Sequence, residues 1–135
     1  MNEVVVTGIG VVTPIGIGTE AFWEGLMSQR SGAGPITQFD ASELPVRIAT
    51  EVKDFDPAKF VAPREVGRTD RFTQMAVAAA TGAIEEAGGV DSEDPERVGV
   101  IVGSGIGGIG TIEREHSAML RGGPRRVSPF MVPRL

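Results

Sequence analysis

Two short, continuous apolar runs stand out along the chain, Val4–Val6 near its start and Val98–Val102 in its last third. Each run leads directly into a glycine-rich stretch. Runs of β-branched residues without polar alternation are typical of strands that are covered on both faces, as in layered α/β proteins. The pattern therefore predicts two buried strands, each followed by a tight connection.

Other segments have helical spacing. One predicted helix runs over 19–28, with Thr19 as its cap. A longer one begins at Thr69 or Asp70 and ends near Ala87, before two glycines. Alanine recurs along this helix, and small side chains let a helix pack closely against a neighbour. We therefore expect the longer helix to be buried.

The connecting segments have weaker secondary-structure patterns. Ser31–Pro35 is expected to stop the first helix, and residues 36–68 form an irregular surface excursion in which Val46–Val52 could add a half-exposed strand. An acidic turn, Asp91–Glu96, precedes the second apolar run, and Val127–Pro133 is apolar and predicted to be extended. The element order indicates a partial α/β layer without closing elements, and hence a chain that looks cut.

Composition and charge narrow the possible functions. The net charge of −5 argues against a general nucleic-acid binder. Without cysteine, this chain can form no disulfide, thiolate zinc site or cysteine nucleophile. No stretch approaches the roughly 20 apolar residues of a membrane helix. Together with the absence of a signal-peptide pattern in the opening residues, this predicts a soluble, cytoplasmic protein.

The stretch Gly103–Gly110 carries a G-x-G-x-x-G pattern between a predicted strand and a predicted helix over 111–120. This is the context of a dinucleotide-binding turn, but the acidic residue expected about 20 positions later is absent. The alternative is that these glycines let the backbone approach another segment or a ligand chain. The single histidine, His116, lies near two glutamates, a pattern more typical of a solvated helix face than of a metal site.

Two clusters of arginine occur in this otherwise acidic chain. Arg64, Arg68 and Arg71 form one cluster at the entrance of the alanine-rich helix, and Arg121, Arg125 and Arg126 form the second cluster. Such clusters are either solvated loops with local ion pairs or a docking patch for an acidic partner.

Several motifs, in one order along the whole chain, resemble the ketosynthase branch of the thiolase superfamily. They include VVVTGIGVVTPIG, FWEGL, TDRF, GSGIGGIG and GGPRRVSPF. The resemblance is greatest to the elongating β-ketoacyl-acyl-carrier-protein synthases of type II. It implies the N-terminal part of a five-layered α/β/α/β/α fold, with residues 1–135 as one partial domain that ends before the nucleophile.

The resemblance also implies an activity and a partner. Such enzymes move an acyl chain from acyl carrier protein onto a cysteine and condense it with malonyl-carrier protein in fatty-acid biosynthesis. The catalytic cysteine and two histidines of the family come later than this stretch, so the chain alone is expected to be inactive and to carry no catalytic residue. A homodimer is expected, with phosphopantetheine-bearing carrier protein as partner and with no cofactor, metal, nucleic acid or membrane.

Binding residues can be carried over from matching positions. Ile106 and Gly107 match a family position lining the acyl pocket, and Phe130 and Met131 match the stretch that reaches the partner subunit's acyl pocket. Arg64 and Arg68 match the family's docking surface for carrier protein. Three alternatives stay open: a short, non-catalytic homologue that binds acyl chains or modulates a synthase, a polyketide ketosynthase, and a small nucleotide-binding module.

Overall fold

A computed structural model describes residues 3–90 and 94–135. The strands are β1 (Val12–Thr13), β2 (Gly16–Ile17), β3 (Ala33–Pro35) and β4 (Ile48–Thr50). The helices are α1 (Thr19–Met27), α2 (Pro63–Val66), α3 (Arg71–Glu86), α4 (Ile109–Gly122) and α5 (Met131–Arg134). Turns of 3-10 helix lie at Pro57–Lys59, Pro95–Arg97 and Pro124–Arg126.

The chain forms two compact units. The first contains the residues up to Asp56 together with Ala79–Val90, and the second contains Pro57–Ala78 and the described residues from 94 onward. Helix α3 contributes its C-terminal half to the first unit and its N-terminal half to the second.

The first unit begins with an antiparallel hairpin of β1 and β2, in which Val12 lies opposite Ile17. Helix α1 packs on this hairpin, and its buried Gly25 faces Ile15. A Cβ at Gly25 would lie 2.5 Å from the Ile15 carbonyl oxygen and 3.2 Å from its Cβ. Glycine is therefore needed here for the helix to approach the hairpin.

The predicted first helix is confirmed, but its predicted cap is wrong. Gly18, with φ 89°, occupies the cap position of α1, and no side chain caps the helix. The Thr19 hydroxyl instead donates a hydrogen bond to the Ile9 carbonyl, 3.1 Å away. A positive φ favours glycine, so the backbone requirement at residue 18 decides the cap.

Strands β3 and β4 form a second antiparallel pair, with Gly34 opposite Ala49. The half-exposed strand predicted within 46–52 is thus present, whereas Ser31–Pro35 does more than stop α1 because its last three residues form β3. Glu51 accepts hydrogen bonds from the hydroxyl of Thr37, at 2.6 Å, and from its N–H, at 2.9 Å. These bonds stabilise the carboxylate and lower the pKa of Glu51.

Helix α3 confirms the longest predicted helix to within a residue or two at each end. It is partly rather than wholly covered, since Gln74 and Ala78 are buried while Val77 and Ile84 are exposed. In the first unit the backbone at Gly8 and Gly10 lies directly against its alanine-rich C-terminal half. The expectation that small residues permit a close approach is confirmed for this face.

The second unit is built from α2, the start of α3, α4 and α5. The buried amide of Gln74 donates to the carbonyls of Val66, at 2.9 Å, and Thr69, at 3.0 Å, and so fixes the connection between α2 and α3. Helix α4 packs against the 3-10 turn that follows it and against α5. The tail predicted to be extended is wrong in its last part, because Met131–Arg134 closes into the short helix α5.

The two predicted buried strands do not form in the described part of the chain. Val4–Val6 and Val98–Val102 have no paired neighbour and are exposed, with Val4 at 92% and Ile101 at 99% accessibility. A strand needs a neighbouring strand to satisfy its N–H and C=O groups, and a local apolar run cannot supply one. The apolar character was identified correctly, but its burial depends on residues elsewhere.

Two further sequence predictions have partial answers. The turn predicted at Asp91–Glu96 lies partly outside the described residues, and its described end enters the 3-10 turn at Pro95, where the Asp94 carboxylate accepts from the Glu96 N–H at 3.2 Å. Of the helices formed by residues 3–90 and 94–135, none combines the length and apolar character needed to cross a bilayer.

Candidate functional site

A buried polar contact joins the beginnings of α3 and α4. The Thr111 hydroxyl, only 1% exposed, donates to Asp70 Oδ1 at 2.5 Å. The Thr111 Oγ1 in turn accepts from Arg114 Nη2 at 2.7 Å, and this nitrogen lies 4.0 Å from Asp70 Oδ1. The Thr111 hydroxyl thus acts both as donor and as acceptor. Its bond to Asp70 joins two residues that are 41 positions apart in the chain.

The contact also sets the path of the glycine-rich segment before α4. A Cβ at Gly108 would overlap the Asp70 carboxylate and lie 2.6 Å from Leu135 Cδ2. Gly107 has φ 66°, and its N–H donates to Ser104 Oγ at 2.9 Å. Both glycines are required here, one by space and the other by its left-handed backbone. The turn that carries the neighbouring Ile106 therefore leads into Gly108, which lies against the Asp70 carboxylate.

The sequence pattern does not indicate this network. It places Asp70 and Thr111 at the starts of two predicted helices. A polar residue at a helix start usually caps its own helix, so the local pattern gave no sign of a bond between two helices. In the described residues Asp70 Oδ2 is buried without a hydrogen-bond partner, which makes Thr111 the main neutral donor to this carboxylate.

We expect Thr111→Val to destabilise the protein expressed from its complete gene by about 2 kcal/mol, because the Asp70 carboxylate would lose its buried hydroxyl donor. Thr111→Ser keeps the hydroxyl and should recover most of this loss. Denaturant unfolding of both variants measures the difference. Equal stability of the valine and serine variants would refute a structural role for the hydroxyl.

The residues predicted to line the acyl pocket all lie in the second compact unit. Ile106 is 71% exposed in the turn before α4, and Phe130 is 46% exposed immediately before Met131, the first residue of α5. Gly107 lies beside Phe72, whose Cζ would be 3.6 Å from an added Cβ. Ile106 and Phe130 both keep free apolar surface, and these residues alone do not enclose a pocket.

The predicted docking arginines lie on and after α2. Arg64 and Arg68 share the carboxylate of Glu65, at 3.4 Å and 3.6 Å, and their side chains are 83% and 53% exposed. Exposed ion pairs of this kind contribute about 0–1 kcal/mol, so an acidic partner can displace them. The Arg68 guanidinium carbon also lies 5.3 Å from the centroid of the Phe130 ring. The structure thus brings together one predicted docking residue and one predicted pocket residue.

The second arginine cluster surrounds the end of α4. Arg121 and Arg126 line an open cleft of about 400 Å³ with Ala118 and Gly122. A Cβ at Gly122 would lie 2.6 Å from Arg126 Cγ, so the glycine admits the arginine side chain. Two of the four residues that line this cleft are arginines, so its charge suits an anionic ligand.

The structure does not support dinucleotide binding at Gly103–Gly110. Val98–Val102 forms no strand, and the Asp70 carboxylate lies against Gly108 at the N-terminus of α4. A pyrophosphate would have to bind at this helix end, where the carboxylate would repel it. Gly108 lies close to the Asp70 side chain, as the alternative interpretation expects, whereas an added Cβ at Gly103 or Gly105 would meet nothing within 4 Å. Around His116, as elsewhere in the described residues, no group of three or more histidine, cysteine or carboxylate side chains could hold a metal ion.

Comparison with known proteins gives one consistent family. The profile described as "Beta-ketoacyl synthase, N-terminal domain" matches residues 1–135. The 3-oxoacyl-[acyl-carrier-protein] synthase 2 of Synechocystis sp. is 47% identical over 133 residues, and that of Coxiella burnetii is 46% identical over 133 residues. Each alignment covers 98% of this chain and 32% of the relative, so the chain spans about a third of their length.

The fold agrees with the sequence comparison. A solved structure, "The ishigamide ketosynthase/chain length factor", superimposes with a TM-score of 0.79 at 34% identity, over 96% of this chain and 33% of that one. The prediction of the N-terminal part of a thiolase-like α/β fold is therefore confirmed. On the profile match along its whole length, this chain belongs to the β-ketoacyl synthase family, whose N-terminal domain it represents.

Proposed function

We propose that this chain is the N-terminal segment of a β-ketoacyl-acyl-carrier-protein synthase that elongates acyl chains in fatty-acid biosynthesis. The observation that carries the proposal is the uninterrupted similarity to synthases named 3-oxoacyl-[acyl-carrier-protein] synthase 2, at 46–47% identity over 98% of this chain. Identity to the solved ketosynthase/chain length factor structure is lower, at 34%.

The proposed reaction has two stages. A cysteine thiolate attacks the thioester of an acyl-carrier protein, and the carrier leaves as a thiol. Malonyl-carrier protein then loses CO₂, and the resulting enolate attacks the acyl-cysteine carbonyl, forming a C–C bond and releasing the cysteine thiolate. This chain has no cysteine and one histidine, so the nucleophile and the paired histidines that stabilise the enolate would belong to residues outside it.

This chain would supply the binding walls. Ile106, Gly107, Phe130 and Met131 are proposed to line the acyl pocket, because Ile106 and Phe130 keep free apolar surface on positioned turns. Arg64 and Arg68 are proposed to receive the acidic carrier protein, because they are exposed and share a single carboxylate between two positive charges. A homodimer in the cytoplasm, in which Phe130 and Met131 reach the other subunit's pocket, is part of the same proposal.

The test is condensation by the protein expressed from its complete gene. We expect it to convert acyl-carrier protein and malonyl-carrier protein into a product two carbons longer, with one CO₂ released per cycle. A cysteine-directed acyl-synthase inhibitor should abolish the reaction. The 135-residue chain alone should have no activity, because it lacks the nucleophile.

Two outcomes would reject the proposal. If the complete gene encodes only a protein of 14.2 kDa, the non-catalytic homologue becomes the better hypothesis, and binding to a separate full-length synthase should be measured next. If a longer product carries the cysteine but releases no CO₂ from malonyl-carrier protein, the assignment as a condensing enzyme is wrong.

A further inference from the structure

Arg68 lies between the two surfaces of the proposed function. On one side it is 3.6 Å from Glu65, within the proposed docking patch. On the other it lies over the Phe130 ring, with its guanidinium carbon 5.3 Å from the ring centroid. That distance is within the range of about 6 Å over which a cation is attracted to an aromatic face. Arg64 shares the carboxylate of Glu65 but makes no ring contact in the described residues.

The backbone around Phe130 is held on both sides. The N–H of Ser128 donates to Glu115 Oε2 of α4 at 2.7 Å. The guanidinium of Arg134 donates to the carbonyl of Gly67, the residue immediately before Arg68. The segment 128–134 is therefore attached to residue 67, and the Phe130 ring is half-exposed beneath Arg68.

A guanidinium can bind an acidic group and an aromatic ring at the same time. Its donors point outward in its plane, while its face stacks on an aromatic ring. A carboxylate that binds the edge of Arg68 would thus reorient the plane that lies on Phe130. Lysine carries the same charge but has no planar face, so it would keep the docking and lose the stacking.

We propose that Arg68 is a positioning residue that couples carrier-protein docking to the orientation of the Phe130 ring, and so makes the acyl-chain length accepted in the other subunit's pocket depend on the carrier bound to this one. This inference rests on the proposed function and gives Arg68 a regulatory role in addition to docking. The ligand is an acidic surface of the carrier protein, which would bind the edge of the Arg68 guanidinium.

The test compares matched variants of the protein expressed from its complete gene. Arg64→Gln removes a docking charge without touching the ring, Arg68→Lys keeps the charge without the stacking face, and Phe130→Leu keeps an apolar side chain without the ring. The readout is the ratio of kcat/KM for a long and a short acyl chain. It is measured with carrier-bound substrates and with the same acyl chains on pantetheine.

We expect Arg64→Gln to lower kcat/KM for both carrier-bound chains equally and to leave the ratio unchanged. Arg68→Lys should change the ratio about two- to fivefold with carrier-bound substrates, because an ammonium keeps the charge but has neither the planar face nor the edge donors of the guanidinium. With pantetheine substrates, which lack the acidic surface, Arg68→Lys should change it less. In a Phe130→Leu background, Arg68→Lys should no longer change it.

Each contrary result has a distinct meaning. If Arg68→Lys leaves the ratio unchanged, or alters it equally with pantetheine substrates or in the Phe130→Leu background, the coupling is wrong while the condensing function stands. If the unmodified protein condenses no acyl chain, the proposed function fails and the coupling fails with it.

Discussion

Gly10→Ala will prevent the protein expressed from its complete gene from reaching a stable fold, or will destabilise it by about 3 kcal/mol or more, the upper part of the range for overpacking. A Cβ at residue 10 would overlap the Ala79 carbonyl of α3 and lie 2.8 Å from the Ala83 N–H nitrogen. Both obstacles are backbone atoms of a hydrogen-bonded helix, which cannot turn away as a side chain can. Soluble yield and denaturant unfolding measure the effect.

The size of this effect reflects how closely the backbone of residues 8–10 packs against α3. Gly8 faces the next turn of α3, where an added Cβ would overlap the Ala83 carbonyl and lie 2.9 Å from the Ala87 nitrogen. Alanines on the helix and glycines on the segment together permit backbone-to-backbone packing. Gly8→Ala should therefore behave like Gly10→Ala.

Two controls separate backbone overlap from general sensitivity to a methyl group. Gly67 has φ −78° and open space around a Cβ, so Gly67→Ala should leave stability unchanged or raise it by up to about 1 kcal/mol. Ala79→Gly should not rescue Gly10→Ala, because the obstructing atom is the carbonyl and not the methyl group. Rescue by Ala79→Gly, or equal stability of the Gly10 and Gly67 variants, would show that the close approach is absent.

Ile101→Lys should act in opposite directions on the 135-residue chain and on the protein expressed from its complete gene. In the described structure Ile101 is 99% exposed within an apolar run that has no strand partner. Exposed, unpaired apolar segments promote association, so lysine should increase the soluble fraction of the short chain severalfold. Sedimentation and light scattering at matched concentrations measure this change.

In the complete gene product the same substitution should prevent folding. We expect Val98–Val102 to be a strand covered on both faces there, so lysine would place an unpaired charge in an apolar layer at a loss of more than about 4 kcal/mol. Val46→Lys is the matched control, since Val46 is exposed and lies outside both apolar runs. It should change the soluble fraction little in either chain. If Ile101→Lys leaves the complete gene product folded, Val98–Val102 is not a buried strand.

Features that depend on neighbours in sequence were predictable. Helix α3 follows from sixteen residues whose alanine content and spacing favour a helix whatever surrounds it. The order of motifs was also sufficient to assign the family, because a series of matches along the whole chain carries more information than any one glycine pattern. The docking and pocket residues followed from that assignment and remain proposals.

Only the tertiary structure determined which distant residues meet. The hydrogen bond from Thr111 to Asp70 and the placement of the Arg68 guanidinium over the Phe130 ring join positions far apart in the chain, and helical periodicity carries no information about such pairs. The cap of α1 was likewise decided by the positive φ of Gly18 rather than by Thr19. The apolar runs at 4–6 and 98–102 were predicted to be buried strands, and this prediction is wrong for the described structure, because hydrophobicity is a local property of the sequence whereas a strand exists only when another segment completes its hydrogen bonds.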